Sequence, residues 1–135
     1  MKPGGARTKG ASAEREVIKL LEPIVREEGG GLLFRNLEQV RSGGHDIIGL
    51  DWLAIEVKRC ETLAVDAWWS QAVQQAGGDR IPVLIYRQSR KAWTVVMWGG
   101  ITAPDRSLFH ARVTITFYDF LNWLRYQLQN RRAAA

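Results

Sequence analysis

The sequence predicts a single α/β domain in which helices flank a central sheet, and three observations carry that expectation. Its 135 residues suit one compact unit of ordinary domain size. A hydrophobic share of 46% beside 24% charged residues is enough to build a core, which excludes a largely disordered or collagen-like chain. Segments of helical periodicity alternate with segments of strand periodicity in the order α, three β, α, two β, then a final β and α, without internal repeats.

Residues 1–10 hold Lys2, Arg7 and Lys9 among glycines and offer little to bury, so they predict a flexible basic arm. One domain over 11–130 and a disordered tail over 131–135 complete the expected organisation. From Ser12 onward, Ala13, Val17, Leu20, Leu21, Ile24 and Val25 recur at three- and four-residue steps, the mark of an amphipathic helix stopped by Gly29-Gly30-Gly31. Pro23 should kink or shorten it. A strand is expected to begin at Leu32 to Phe34, and the loop Arg41-Ser42-Gly43-Gly44 leads to a second at Asp46-Ile47-Ile48.

Leu53 to Lys58 alternates, so Leu53, Ile55 and Val57 face one way while Ala54, Glu56 and Lys58 face the other. Asp66 is placed to cap a second helix running through Gln75, with Gly77-Gly78 as its terminator. Ile81 to Arg87 and Trp93 to Met97 predict two further strands joined near Ser89-Arg90-Lys91. His110 to Phe117 adds another strand, and Asp119 to Gln129 carries Phe120, Leu121, Leu124 and Leu128 at helical spacing.

The net charge of +5 tilts the reading toward a polyanionic partner. Cys60 is the one cysteine, so neither an internal disulfide nor a four-ligand zinc site of the usual kind is expected. No apolar run approaches the roughly 20 residues that span a bilayer, and residues 1–10 lack the apolar stretch of a secretory signal. A soluble, cytoplasmic protein with no membrane partner is the expectation.

The chemistry-bearing set is Glu14 on the first helix, Asp46 at the head of one strand, and Glu56-Val57-Lys58 on the next. Hydrolysing a phosphodiester calls for a hard cation held by carboxylate oxygens with positions left open for water and phosphate. Asp46 and Glu56 are candidates for that cage, with Glu14 extending it directly or through water. Lys58 shares the face of Glu56, where it would orient the attacking water or stabilise charge building on phosphorus. This reading makes a geometric demand. A two-residue turn at Asp51-Trp52 would set Asp46 opposite Val57, on the wrong face, so an odd-length loop or a bulge is expected, and a tight two-residue hairpin there would count heavily against the site.

The spacing of Glu14, Asp46 and Glu56-Val57-Lys58 within this element order resembles the PD-(D/E)XK nuclease superfamily. The opening block Lys9-Gly10-Ala11-Ser12-Ala13-Glu14-Arg15-Glu16-Val17-Ile18-Lys19-Leu20-Leu21-Glu22 is similar to archaeal-type Holliday junction resolvases, as are Ile55-Glu56-Val57-Lys58 and Gly78 to Ile85 (GDRIPVLI). The Trp68-Trp69-Ser70-Gln71-Ala72 helix is more like small phage-type endonucleases of the same superfamily. The resemblance covers roughly Arg7 to Met97. It implies a restriction-endonuclease-like α/β fold, a central mixed β-sheet flanked by helices.

The resemblance also implies that Asp46, Glu56 and the Val57 carbonyl ligate Mg2+, with Mn2+ as a substitute. Lys58 would be the catalytic lysine and Glu14 the helix-borne acid. Ser42 falls where such resolvases carry a functional serine, and Gln71 where some members place a glutamine, so both are accessory candidates. Lys9, Arg15, Arg41 and Arg59 are the DNA-binding candidates. His45 stands where the motif is named for proline, a departure that removes no ligand.

Each residue also has a plainer reading. An acid-x-lysine pair can be a solvated surface pair, Glu14 an exposed helix residue beside a cation, and Gln71 ordinary helix polarity. His45 suits a loop or phosphate contact better than an oxygen-only cage. Cys60 has no evident His partner to make it a nucleophile. Of the adjacent Trp68 and Trp69, about 100 degrees apart on a helix, at most one should reach deep into the core.

Together these readings give the expectation of a Mg2+-dependent DNA endonuclease cutting four-way junctions, with a role in recombination or repair. A homodimer is expected, with Phe120, Trp123 and Leu124 on the last helix as a candidate dimer element. The alternatives are a nuclease of the same fold acting on other DNA structures or on RNA, and a noncatalytic DNA-binding module.

Overall fold

The computed structural model describes residues 3–37 and 45–134, with the backbone alone for residues 3–9. The first apolar stripe forms helix α1 (Pro3–Glu27), and Ala13, Val17, Leu21 and Val25 on it are almost wholly buried. The helix therefore begins well before Ser12, and residues 3–10 continue it instead of forming the basic arm expected from their composition. Pro23 neither stops nor shortens α1. Its ring lies on the exposed side, and the helix runs on to Glu27.

Strands β1 (Phe34–Arg35) and β2 (Ile47–Ile48) pair antiparallel as a short ribbon of their own. The main sheet contains β3 (Leu53–Arg59), β4 (Ile81–Arg87), β5 (Thr94–Thr102) and β6 (Leu108–Thr116), in that spatial order. β3 and β4 are parallel, joined across helix α2 (Val65–Ala76), and the other neighbours are antiparallel, so the sheet is mixed as expected. Helix α3 (Phe117–Ala134) closes the chain, so residues 131–134 are helical where a disordered tail was expected.

The two faces of the sheet are covered differently. Ile55, Val57, Val83, Ile85 and Val95 pack with α1 and with Phe120 and Leu124 of α3. On the other face, Leu84 and Val96 meet Trp69 and Ala72 of α2. Of the adjacent tryptophans only Trp69 is buried, and half-buried Trp68 lies against Tyr86 with ring centroids 5.9 Å apart. Phe120 and Leu124 are fully buried within this chain, and Trp123 packs on Trp52 at 5.8 Å. The apolar stripe of α3 is thus spent on the protein's own core, which corrects its reading as a dimer element.

Two local expectations also change. Asp66 does not cap α2: Ala64 holds that position without a side-chain bond, and Asp66 sits in the first turn, where its charge suits the helix dipole and pairs with Arg112 at 2.7 Å. Gly77, with φ 63°, ends the helix as its composition suggested. β5 runs past Met97 through Trp98-Gly99-Gly100. The glycine there fits a crowded crossing, since a Cβ on Gly99 would lie 2.8 Å from Val113 of β6.

Candidate active site

β3 is the edge strand of the main sheet, and its outward backbone groups need partners. Asp46 supplies them twice. Its N–H donates to the Ile55 carbonyl at 2.8 Å, and its carboxylate Oδ2 accepts the Val57 N–H at 2.7 Å. The ribbon holds Asp46 from behind, because Asn36 donates its N–H to the Asp46 carbonyl (2.8 Å) and its side-chain amide to the His45 carbonyl (2.9 Å).

This clasp corrects the loop argument. The turn is the two-residue kind, Asp51-Trp52 closed by the Leu53 N–H to the Leu50 carbonyl at 3.0 Å, which by simple alternation would misplace Asp46. The ladder does not follow from that turn. Ile47-Ile48-Gly49 on one side stand against Ala54 alone on the other, so β2 leaves β3 to pair with β1. Gly49 makes this departure with φ 126°, and a Cβ there would lie 2.8 Å from the Leu32 carbonyl oxygen. Asp46 meets β3 at its edge, not on a face, so face parity never applies to it.

Glu56 is 2% exposed and shares its register position with Leu84 of β4, which puts it on the α2 side of the sheet. Lys58, two residues on, is half-buried opposite Tyr86. Glu14 is brought in by the buried stripe of α1, next to Ala13 and one turn from Val17. It is buried, not an exposed helix residue, and Arg35 of β1 donates from Nε to its Oε2 at 2.7 Å.

Charge is concentrated where water is scarce. Burial pushes the Glu56 carboxyl up to about 8, helped by the negative charge of Asp46 and opposed by Lys58. Burial likewise raises Asp46, to about 6, against the opposing pull of its Val57 N–H bond; the nearby Glu14 charge raises it further. Glu56 Oε1 is buried with no hydrogen-bond partner. An acid pair so placed, with one oxygen unsatisfied, fits the donor chemistry of a hard divalent cation better than that of a structural core. In a strand the N–H and C=O of one residue point the same way, so the Val57 carbonyl also faces the Asp46 edge.

Other predicted residues take varied positions. Among the described residues, no three His, Cys, Asp or Glu side chains converge as a cage, and Glu14 is engaged by Arg35. Gln71 is half-buried on α2, and no hydrogen bond joins it to the acids among the described residues. Arg59 is half-buried on the α1 side, in register with Arg87, which pairs with Glu16 at 2.8 Å. Arg15 is exposed on α1, and the Lys9 backbone lies in the same helix. Ser42 and Arg41 fall outside the described residues.

His45 is buried against Arg80, with Nδ1 and Nη1 3.4 Å apart, and its pKa is lowered by burial and by that positive charge. Cys60 is exposed. Asn36 is a functional neighbour that sequence reasoning passed over, since it follows a strand too short to show a period.

The phage putative PDDEXK endonuclease family matches residues 5–99, which span α1 through most of β5 and include every acid of the site. The chain belongs to that family. The mixed sheet flanked by helices is consistent with the PDDEXK fold. No curated protein and no solved structure matches the chain. No helix among the described residues is long and apolar enough to cross a membrane.

Proposed function

We propose that this PDDEXK protein is a Mg2+-dependent DNA endonuclease, with four-way junctions as its leading substrate. The observation that carries the reading is the buried Asp46–Glu56 pair with an unpartnered Glu56 oxygen and Lys58 two residues on. Asp46, Glu56 and the Val57 carbonyl would hold the cation, and Mn2+ would serve in its place. When bound, the ion supplies Lewis acidity toward the phosphate and lowers the pKa of water.

The chain's own residues set up the rest. Asp46 is fixed by the edge of β3, so one ligand is oriented before substrate arrives. Lys58 opposes the negative charge of the acid pair and would offset charge building on the phosphate oxygens. In hydrolysis the oxygen of water bonds to phosphorus and one P–O ester bond breaks. A phosphate monoester and a hydroxyl result, with one proton of the water passing to solvent or to a carboxylate and the departing oxygen taking a proton from solvent. Glu14 acts through Arg35 as a positioning residue, its charge also felt by both acids.

The junction preference rests on the likeness of the Lys9 to Glu22 block and of Gly78 to Ile85 to archaeal-type resolvases. Two symmetric cuts would call for two centres, hence a homodimer, built on a surface other than the buried stripe of α3. The test pairs a labelled four-way junction with a matched linear duplex, in Mg2+ or EDTA, using the protein and its Asp46→Asn and Glu56→Gln variants. Symmetric nicks on the junction alone, absent in EDTA and in both variants, are the expected result. Cutting of both DNAs would leave a nuclease of broader taste. Binding without cutting under any metal would return the acids to a structural role.

A further inference from the structure

A groove of about 800 Å3 runs between α1 and β1, outside the acid pair but sharing a residue with its surroundings. Ser12, Arg15 and Lys19 line it from the helix, and Phe34, Arg35 and Leu37 from the ribbon. Arg35 is anchored through Nε on Glu14, and its terminal guanidinium nitrogens make no hydrogen bond within the described residues. The groove also contains Glu16 and Glu22, yet Glu16 is paired with Arg87 at 2.8 Å and Glu22 with Arg26 at 3.9 Å. Arg15 and Lys19 are the cations that the groove leaves unpaired among the described residues, and Arg35 adds its terminal nitrogens, with its charge shared with Glu14.

Phe34 is 56% exposed, and Ile48, opposite it in register, is 40% exposed. A lone exposed aromatic is unremarkable, but one set among three cations has the chemistry that binds single-stranded nucleic acid. Cations follow the phosphates while the ring accepts the face of a base. A base inside a duplex has both faces covered by its neighbours, so the ring can meet only a base outside the stack. We propose that the α1–β1 groove is a subsite for an unpaired nucleotide beside the cut, with Phe34 stacking on its base and Arg15 and Lys19 holding the flanking phosphates. The proposal rests on the nuclease reading above and adds a preference for DNA carrying unpaired nucleotides next to the scissile bond.

The experiment measures affinity in EDTA, where no cutting occurs, for a duplex bearing one unpaired, bulged adenosine and for the same duplex with an abasic residue at that place. The full chain should bind the base-bearing DNA roughly tenfold tighter, the effect of one stacked base. Phe34→Ala and Phe34→Leu should bring the ratio to about one, and Phe34→Trp should keep it, as stacking on a π face requires. A ratio near one in the unmodified protein, or one that Phe34→Leu preserves, overturns the subsite. Cleavage of the same DNAs in Mg2+ is scored separately. Cutting without any base preference sinks the subsite and keeps the nuclease, whereas base preference without cutting keeps the subsite and sinks the nuclease.

Discussion

Glu28 and Glu56 are both removed from water, and the protein treats them in opposite ways. Glu28, at the contact of α1 with α3, has a side chain 8% exposed and is met by Arg125, Gln129 and Arg132, each at 3.2 Å. Glu56, on the edge strand β3, is met by a second acid, and among the described residues Lys58 is the cation whose charge offsets it. The first acid is compensated in charge as a structural ion pair must be, although one of its oxygens, like one of Glu56, accepts no hydrogen bond. The second sits beside another acid with its carboxyl pushed up to about 8, which lowers stability wherever it ionises. Such an arrangement is more typical of functional sites than of packed cores.

The largest way to break this comparison is to neutralise each side. Asp46→Asn and Glu56→Gln should each lower cleavage by about 100-fold or more, the scale of losing a group that stabilises transition-state charge, in a gel assay under Mg2+. Above about pH 8, where both acids are ionised, their melting midpoints should hold or rise, since a desolvated charge has gone. Glu28→Gln should do the reverse, leaving cleavage unchanged and lowering the midpoint by roughly 2–4 °C. A fall in stability for Glu56→Gln equal to that of Glu28→Gln would erase the distinction.

The pH dependence sharpens the same contrast. Asp46 and Glu56 have folded-state pKa values raised to about 6 and about 8. The folded protein thus holds more protons than the unfolded chain between their ordinary carboxylate range and those values. The stability they contribute is complete at low pH and is lost as pH rises through about 6 and about 8. Without metal, the melting midpoint should fall across that span, and the slope should flatten in the Asp46→Asn/Glu56→Gln double variant.

Adding Mg2+ at pH 8 should restore part of the loss. A ligand at a hundredfold excess over its Kd stabilises by about 2.7 kcal/mol, and calorimetry should show no such gain for Asp46→Asn. The smallest effect belongs to Asp66, paired with Arg112 in the open, its side chain 88% exposed. Asp66→Asn should leave the melting midpoint unchanged within measurement.

Much of this architecture was legible in the chain because it rests on short-range regularities. The period of Ala13, Val17, Leu21 and Val25 determined the buried face of α1, and alternation in Leu53 to Lys58 determined that Glu56 and Lys58 share a side. The family resemblance put names to Glu14, Asp46, Glu56 and Lys58 for the same reason: their spacing is a one-dimensional fact. Element ends were less legible. Residues 3–10 carry no apolar signal, yet the helix already formed beyond them extends back through them, since propagation is easier than nucleation.

Only the tertiary structure decided how Asp46 reaches its place and what Glu14 does there. A turn at Asp51-Trp52 and simple alternation send Asp46 to the wrong face. The chain evades that rule because Gly49 lets β2 leave for β1, and the unpaired edge of β3 then captures Asp46 by its backbone and carboxylate. Likewise no pattern in the sequence joins Glu14 to Arg35, which lie 21 residues apart on a helix and a ribbon. Periodicity reports which way a side chain points along its own element. Which partner it finds depends on how elements close on one another, where unsatisfied hydrogen bonds and buried charge must be matched across the whole fold.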